Sequence, residues 1–287
     1  MKYYFLLLGC IFYLHCSAQK TDKKLQKKIE SEIQGFNGKI GVYIKNLENG
    51  KTVSINADTI FPTASIVKVP ILIGTMDKIH KGELNYKQEL VYRDSLLYEG
   101  VDILGSFEDS SKIELGKVMM LMLTMSDNTA SLWLQKLAGT GTRINNILDS
   151  MGYVHTRVNS RTQGRLDNWK QYGWGQTTPW EMANLMERIS DGGVISKERS
   201  EQMLRLMGRN FWDEVSISQI PSDVFIASKG GAVNASRSEI LFVNGRGARY
   251  VFAVFTSNLK DQSWKNENEA WTLTRKISKL AWDHFSN

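Results

Sequence analysis

The sequence contains little cysteine, and none of it lies in the main body of the chain. Both cysteines, Cys10 and Cys16, fall within the first 18 of the 287 residues. Removal of that segment after Ala18 would leave no disulfide, no thiol nucleophile and no cysteine ligand for a metal. We therefore expect neither a bound metal nor any other cofactor.

Long apolar runs are also missing beyond the N-terminus, so the sequence predicts no membrane-spanning helix in the mature chain. The first residues differ, because Lys2 precedes an almost wholly apolar stretch over residues 3–14. This pattern predicts a signal peptide over residues 1–18, cleaved after Ala18, and a periplasmic or secreted mature protein. Lipid attachment at Cys16 is the alternative, which the bulky histidine before it disfavours.

The charge of the chain is moderately basic, with a net value of +6 and a lysine-rich segment at residues 20–28. We expect these lysines to form the solvent-facing side of an N-terminal helix, and attraction to anionic cell-envelope polymers is the alternative. No nucleic-acid-binding motif is present, and export argues against a nucleic-acid partner. We expect a monomer whose partner is a small-molecule substrate.

Hydrophobic periodicity predicts the element order helix, hairpin, many helices, three strands and helix. The clearest predicted helices cover about residues 22–34, 114–125 and 267–285. The predicted strands cover residues 39–47, 51–56, 224–229, 239–243 and 249–256. The first two strands are joined through Asn49-Gly50, which is a strong hairpin signal.

Strands from both ends of the chain must then share one sheet. We predict an α/β (α+β) fold in which an antiparallel sheet is flanked by the terminal helices and an all-α lobe is inserted between them. The α/β lobe would comprise residues 19–61 and about 208–287, and the α lobe about 62–207. A cleft between the two lobes is the expected place for a functional site.

The first candidate motif is Ser65-x-x-Lys68, which follows Pro62. A helix beginning near Ser65 would place the two side chains on one face, with the hydroxyl at the positive end of the helix. A lysine desolvated beside a hydroxyl can lose its proton near neutral pH and act as a general base. The pattern alone is weak, because three-residue Ser–Lys spacing is common.

Two further motifs follow in order. Ser126-Asp127-Asn128 comes directly after the helix predicted over residues 114–125, and Lys229-Gly230-Gly231 ends a β-rich run. Each alone is a cap or a turn, but the ordered set is found in class A β-lactamases and penicillin-binding proteins. The chain resembles the class A β-lactamase family, and the resemblance extends to Thr177-Thr178-Pro179, which is similar to the segment after the family's Ω loop.

The resemblance implies a role for each residue of these motifs. Ser65 would attack a carbonyl carbon, Lys68 would take its proton, and Ser126 would relay a proton to the departing nitrogen. The substrate-binding residues would be Asn128, Lys229, Gly231, Ala232 and Arg237. The backbone N–H groups of Ser65 and Ala232 would form the oxyanion hole.

The same comparison shows where the pattern breaks. The family hydrolyses its acyl-enzyme with an Ω-loop glutamate that an asparagine supports, and the corresponding positions here hold Thr162 and Leu132. Asp167 is the only acid between residues 151 and 181 and is the alternative water-activating group. Gly230 stands where the family has threonine or serine, which would weaken the grip on a substrate carboxylate.

Three aromatic residues of the loop region, Trp169, Tyr172 and Trp174, either line a pocket or pack a long loop, and we expect packing. The sequence thus predicts a class A β-lactamase-like serine hydrolase that is acylated at Ser65 by β-lactams or related amides and deacylates slowly. One alternative is a peptidoglycan-directed D,D-peptidase or esterase with a cell-wall peptide substrate. The other is a non-catalytic envelope-binding or sensor protein of the same fold.

Overall fold

The computed structural model describes residues 20–286 of the chain. The predicted signal peptide, its cleavage after Ala18 and the lipidation alternative at Cys16 lie outside the described residues. Within residues 20–286, every helix is too short or too polar to cross a membrane.

Nine helices and ten strands occur in the described part of the chain. The helices are α1 Lys23–Ile33, α2 Lys68–His80, α3 Leu115–Met120, α4 Asn128–Leu137, α5 Thr140–Ser150, α6 Leu166–Tyr172, α7 Pro179–Ser190, α8 Lys197–Met207 and α9 Glu269–Phe285. The strands are β1 Lys39–Asn46, β2 Thr52–Ile55, β3 Phe61–Pro62, β4 Glu89–Val91, β5 Lys112–Glu114, β6 Arg157–Val158, β7 Gly175–Thr177, β8 Phe225–Val233, β9 Ser236–Gly245 and β10 Ala248–Ser257.

Strands from both ends of the chain share one five-stranded sheet, in the order β2-β1-β10-β9-β8. All its neighbouring pairs are antiparallel. The N-terminal β1 pairs with the C-terminal β10 along its whole length, for example Val42 with Val254. The predicted fold class is therefore confirmed: an antiparallel sheet carries terminal helices, and a largely helical segment is inserted between its second and third strands in chain order.

The two faces of the sheet are buried by different layers, which follows from the alternation of side chains along a strand. On one face, Val42 and Phe252 pack in a core with Leu25 of α1 and Ile277 of α9. On the other face, alternate strand residues such as Phe255 join the core of the inserted helices. The terminal helices thus cover one face of the sheet, and the inserted helices pack on the opposite face, where the cleft forms.

The structure differs from the sequence prediction at two boundaries and in the middle of the chain. The helix expected over residues 114–125 is α-helical only in α3, and residues Leu121–Met125 form a π-helical turn. The strand expected to end at Lys229 continues through the two glycines to Val233. The middle of the chain also contains short strands, among them β3, β6 and β7, which form a small sheet of their own. These strands have two or three residues, which is too short for any periodicity in the sequence.

Candidate active site

Ser65 lies in a 3₁₀ turn, Ala64–Val67, and not in the first turn of an α-helix as predicted; α2 begins at Lys68. The expected neighbourhood nevertheless forms, because the Lys68 Nζ lies 3.0 Å from the Ser65 Oγ. Ala64 has a φ of 44°, in the left-handed region that a non-glycine residue rarely adopts. Such backbone strain is characteristic of functional sites, where the surrounding structure enforces it.

Lys68 is completely buried and is surrounded by oxygen atoms. Its Nζ lies 2.5 Å from the Ser126 carbonyl oxygen, 3.0 Å from the Ser126 Oγ and 2.9 Å from the Asn128 Oδ1, in addition to Ser65. Burial lowers the pKa of Lys68 well below its usual range, and the charge of Lys229 lowers it further, while Asp127 opposes the shift. A neutral Lys68 amine carries a lone pair that can accept the Ser65 hydroxyl proton.

Ser126 lies between two buried lysines. Its Oγ is 3.0 Å from the Nζ of Lys68 and 3.0 Å from the Nζ of Lys229, which also donates to the Gly230 carbonyl. Burial lowers the pKa of Lys229 to about 7, with Glu239 opposing the shift. Ser126 itself has a left-handed conformation with φ 61°. A hydroxyl held by two amines of lowered pKa can pass a proton from one side of the site to the other.

Asp127 is a scaffold residue whose importance the sequence did not reveal. One carboxylate oxygen caps α4 by accepting from the Ala130 N–H at 2.7 Å. The other accepts from the N–H groups of Ile103 and Leu104, at 2.6 and 2.8 Å. These bonds fix the loop before β5 against the start of α4. Asp127 therefore determines where its neighbours Ser126 and Asn128 point.

Asn128 uses only part of its side-chain amide within the site. Its Oδ1 accepts from Lys68, and its backbone N–H donates to the Val101 carbonyl at 2.8 Å. The Nδ2 has no hydrogen-bond acceptor among residues 20–286, and it lies close to the backbone at Gly100. This free donor is available to an acyl side chain of a substrate.

Strand β8 forms the opposite wall and runs directly past the Ser65 turn. A Cβ at Gly231 would lie 2.5 Å from the Thr63 carbonyl oxygen and 3.0 Å from the Ser65 nitrogen, so only glycine permits this approach. Ala232 pairs with Arg237, whose backbone N–H donates to the Thr256 side chain on the far side of β9. In an antiparallel pair, two directly opposite residues either both direct their N–H groups towards each other or both direct them away from each other. The Ala232 N–H therefore points away from β9, towards the Ser65 turn.

Arg237 does not take the place predicted for it. Its side chain has no exposed surface and donates to backbone carbonyls, including Val233, Ser236 at 2.9 Å and Ser263 at 3.0 Å. The guanidinium also stacks on the rings of two tryptophans at 4.2 and 4.9 Å, Trp264 and Trp271. The prediction that Arg237 assists Lys229 in binding a carboxylate is wrong for this structure, because the guanidinium is closed off from the cleft.

The residue that the register places opposite Gly230 is Glu239, and it was missed. It is buried, accepts from the Ser216 N–H at 2.9 Å through Oε2, and has a raised pKa because burial penalises its charge. Its position at the start of the strand predicted over residues 239–243, as a charge before an apolar run, was the available signal. Strand register, which decides the direction of a side chain, could not be obtained from one strand alone.

A cavity of about 620 Å³ connects these groups. Its lining includes Ser65, Ser126, Lys229, Glu239, Trp264 and Trp271. The Ser65 nucleophile, the Ser126 hydroxyl, the Lys229 amine and the Glu239 carboxyl thus face one space. Within residues 20–286, no group of three or more His, Asp or Glu side chains is arranged to hold a metal ion.

The two positions at which the sequence departs from the family's deacylating pair lie together. Leu132 and Thr162 line a second cavity of about 470 Å³, and the Thr162 Oγ1 donates to the Ser160 carbonyl at 2.9 Å. The Asp167 side chain is 99% exposed and lies 3.8 Å from Lys170. The alternative role of Asp167 as the water-activating group is therefore contradicted, because its carboxylate faces solvent.

Two of the three loop aromatics line a cavity. Trp169 and Trp174 line the same second cavity, and Trp174 meets the ring of Tyr98 edge-on at 5.2 Å. Trp174 also packs against the main hydrophobic core, as expected, whereas Trp169 is 46% exposed. Tyr172 does not take part in the lining of this cavity.

Comparisons with known proteins agree with this geometry. Residues 24–285 match the family described as "Beta-lactamase enzyme family". Among curated proteins, the beta-lactamase VEB-1 of Pseudomonas aeruginosa is 24% identical over 98% of this chain and 97% of its own length. Two solved structures also share the fold of this chain.

A solved beta-lactamase from Chitinophaga pinensis has a TM-score of 0.82 with 23% identity, covering 92% of this chain and 100% of that one. A point mutant of PBP-A, solved as an acyl-enzyme complex with penicillin-G, has a TM-score of 0.82 with 24% identity, covering 93% and 98%. At these identities the structural likeness shows the fold alone.

Proposed function

Because the chain belongs to the beta-lactamase enzyme family, we propose that it is a serine hydrolase of the class A type that forms an acyl-enzyme at Ser65 with β-lactams or related amides, and that it hydrolyses this intermediate slowly. The observation that carries the proposal is the completely buried Lys68, whose Nζ lies 3.0 Å from the Ser65 Oγ. We also propose export through the signal peptide of residues 1–18, with residues 19–287 as the mature hydrolase.

Acylation begins with proton transfer inside the Ser65–Lys68 pair. The neutral Lys68 amine takes the hydroxyl proton as the Ser65 Oγ attacks the carbonyl carbon, so a C–O bond forms and the carbonyl electrons move onto oxygen. The lowered pKa of Lys68 favours the neutral amine that takes this proton. The barrier falls because base and nucleophile are already in hydrogen-bond contact.

The negative charge that develops on the carbonyl oxygen needs donors already in place. Ser65 and Ala232 both line the 620 Å³ cavity, and their backbone N–H groups would supply these donors. The close approach at Gly231 supports this arrangement, because it sets the distance between the two chain segments. These two N–H groups are the proposed oxyanion hole.

Collapse of the tetrahedral intermediate breaks the C–N bond. The departing nitrogen takes the Ser126 hydroxyl proton, and Ser126 recovers a proton from the Lys68 amine at 3.0 Å. Lys68 gained one proton in the first step, so no proton is left over when the amine has departed. Lys229 in its protonated form also attracts an anionic substrate.

Slow deacylation is proposed from the groups around the ester. Hydrolysis needs a base that activates a water molecule, and no carboxylate of residues 20–286 forms a hydrogen bond or ion pair with Ser65 or Lys68. Thr162 stands where the family has its base, and Leu132 stands where the family has the amide that supports it. Both members of that pair are replaced by groups that cannot take up a proton.

Peptide mapping after exposure to a penicillin tests the proposal. The expected result is a mass increase equal to the whole penicillin on the peptide that contains Ser65, and its loss in Ser65→Ala. Ser218→Ala, which replaces an exposed serine outside the cavity, is the matched control and should be labelled like the parent. Labelling of another residue, or equal labelling of Ser65→Ala, would contradict the proposal.

A further inference from the structure

The π-helical turn that presents Ser126 is held by a segment distant in the sequence. The last carbonyl groups of a helix have no partner within that helix. Here the Thr124 carbonyl accepts from the Phe211 N–H at 3.0 Å, and the Met125 carbonyl accepts from the Trp212 Nε1 at 3.0 Å. Both donors lie between α8 and β8. The two peptide groups directly before Ser126 are therefore fixed from outside the turn.

These two hydrogen bonds matter because of what Ser126 has to do. Its φ of 61° lies in the left-handed region, which a non-glycine residue keeps only where its surroundings enforce it. Its Oγ also lies within hydrogen-bond distance of two amines, those of Lys68 and Lys229. A shift of the preceding peptide groups would carry the Oγ away from these amines.

The same segment is tied to the strand that carries Lys229. The Asn210 Oδ1 accepts from the Trp212 backbone N–H at 3.1 Å, and the Asn210 Nδ2 donates to the Ser228 Oγ at 2.9 Å. Ser228 is buried in β8, directly before Lys229. Residues 210–212, here called the bridge segment, thus connect the turn before Ser126 to β8. They join the two elements whose separation determines the distance between the Ser126 Oγ and the Lys229 Nζ.

Packing alone does not explain the aromatic residues of the bridge segment. Phe211 and Trp212 are both exposed, and their rings meet edge-on at 5.2 Å. Adjacent exposed aromatic side chains mark functional surfaces more often than isolated ones do. Trp212 lines the cavity that Ser65 and Ser126 also line. Its indole N–H, which a phenylalanine would lack, is the donor that reaches Met125.

Building on the proposed acyl transfer at Ser65, we propose that Trp212 is a positioning residue for Ser126: its indole N–H fixes the Met125 peptide group so that the Ser126 Oγ can deliver a proton to the departing nitrogen. When the C–N bond breaks, its electron pair goes to nitrogen, nitrogen takes the Ser126 proton, and Lys68 restores that proton. A departing thiolate leaves with the electron pair of its C–S bond and needs no proton. Trp212 should therefore matter more for amides than for thioesters.

Two acyl donors with the same acyl side chain test this role. One is a penicillin, whose C–N bond breaks, and the other is a thioester of an aryl thiol, whose thiolate is a stable anion near neutral pH. The rate of adduct formation at Ser65 gives acylation by the penicillin, and thiol release gives kcat/KM for the thioester. Ser65→Ala gives the background for both. Trp212→Phe keeps an aromatic ring in the cavity wall and removes the N–H donor.

Trp212→Phe should lower acylation by the penicillin about two- to tenfold relative to acylation by the thioester, the range that the net contribution of one hydrogen bond gives. Asn210→Ala, which removes the acceptor of the Trp212 backbone N–H, should lower the same ratio. Trp180→Phe, at an exposed position on α7 outside the cavity, is the matched control and should leave the ratio unchanged.

Each outcome decides between the two proposals. An unchanged ratio in Trp212→Phe, or an equal loss with both acyl donors, would overturn the role of Trp212, because a general loss of structure or of the cavity wall affects both. If Trp212→Phe does not fold, the ratio in Asn210→Ala decides in the same way. A parent enzyme without Ser65-dependent reaction with either acyl donor would instead contradict the proposed acyl transfer.

Discussion

Lys68 gains its chemistry from its surroundings and not from its identity alone. A lysine in water keeps its proton to about pH 10.4. Here the Lys68 side chain is completely buried, and Lys229 approaches the same Ser126 hydroxyl. Both burial and the like charge of Lys229 therefore favour the neutral Lys68 amine. Asp127 opposes the shift, but its oxygens are occupied by three backbone N–H groups. The net effect is a lowered pKa, which favours the neutral Lys68 amine that can act as a base.

Replacement of that base tests its role. Lys68→Arg keeps a cation of similar length but cannot lose a proton in a protein. We expect the rate of acylation by a penicillin to fall roughly 100- to 10,000-fold, the contribution of a positioned general base. Lys136→Arg, at an exposed position on α4, is the control. An acylation rate within a factor of a few of the parent would show that Lys68 is not the base.

Gly230 is a position at which packing leaves room for a side chain. A Cβ there would meet nothing closer than the Ser238 carbonyl oxygen at 4.0 Å. Gly230→Thr restores the hydroxyl found in the family and should strengthen binding of a carboxylate-bearing substrate by about tenfold, since hydrogen bonds to charged groups contribute about 1.5–3 kcal/mol. The measurement is KM for two thioesters that share one acyl group and have mercaptoacetate or mercaptoacetamide as the leaving thiol. An equal change for both would contradict this explanation.

The predictability of single residues depended on whether they act through local spacing. Ser65 and Lys68 are three residues apart, and one turn of 3₁₀ or α-helix is enough to bring them together. Arg237 and Glu239 could not be assigned in this way, because they differ only in their register on β9. A shift of two positions along that strand exchanges a residue opposite Ala232 for one opposite Gly230.

At the scale of the element, the segment before Ser126 shows why a strong helical pattern was incomplete. The apolar positions of residues 114–125 predicted one helix, and they are mostly buried as expected. The last five residues instead adopt a π-helical turn, and Ser126 then takes a left-handed conformation. Such turns occur frequently at functional sites. The turn directs the Ser126 hydroxyl between two lysines, which side-chain periodicity does not encode.

The α4 helix and the loop that carries Thr162 provide a test of slow deacylation. Leu132→Asn with Thr162→Glu would place an amide and a carboxylate in the same 470 Å³ cavity. We expect the double variant to release its acyl group at least about tenfold faster than the parent, because a positioned base contributes 100-fold or more. Leu132→Asn alone adds no base and should not change the rate. An unchanged lifetime in a folded double variant would contradict the explanation.

At the scale of the whole molecule, the sheet and the inserted helices were predictable because both ends of the chain carried strand and helix patterns. What the patterns could not supply was the cleft's electrostatics. The lobes meet around two buried lysines, Lys68 and Lys229, neither of which has a carboxylate in ion-pair contact in the described chain. Buried cations of this kind oppose folding.

That cost gives stability a predictable dependence on pH. The folded pKa of Lys229, about 7, lies below the value of 10.5 expected in the unfolded chain. The unfolded state therefore binds more protons between these values, and the parent gains stability as pH rises through this window. Lys229→Met removes the free-energy cost of burying a charged lysine. Its melting temperature should therefore exceed that of the parent at or below pH 7, and the difference in melting temperature should narrow towards about pH 10.

The matched control for this comparison is Lys136→Met, at an exposed position. It should show no pH-dependent gap, because this side chain is exposed to solvent in the folded protein as well as in the unfolded chain. A gap for Lys229→Met that stays constant or widens with rising pH would show that Lys229 is not held in a lowered-pKa environment.

The measurement that tests the central claim most directly is a time course of intact mass and product after mixing the enzyme with excess penicillin. The site has the groups for making an acyl-enzyme and lacks a base for its hydrolysis. We therefore expect a burst of one equivalent, a lasting mass increase equal to the penicillin, and a slow steady state that Ser65→Ala abolishes. Rapid turnover without a detectable adduct, or no adduct and no turnover, would contradict the account.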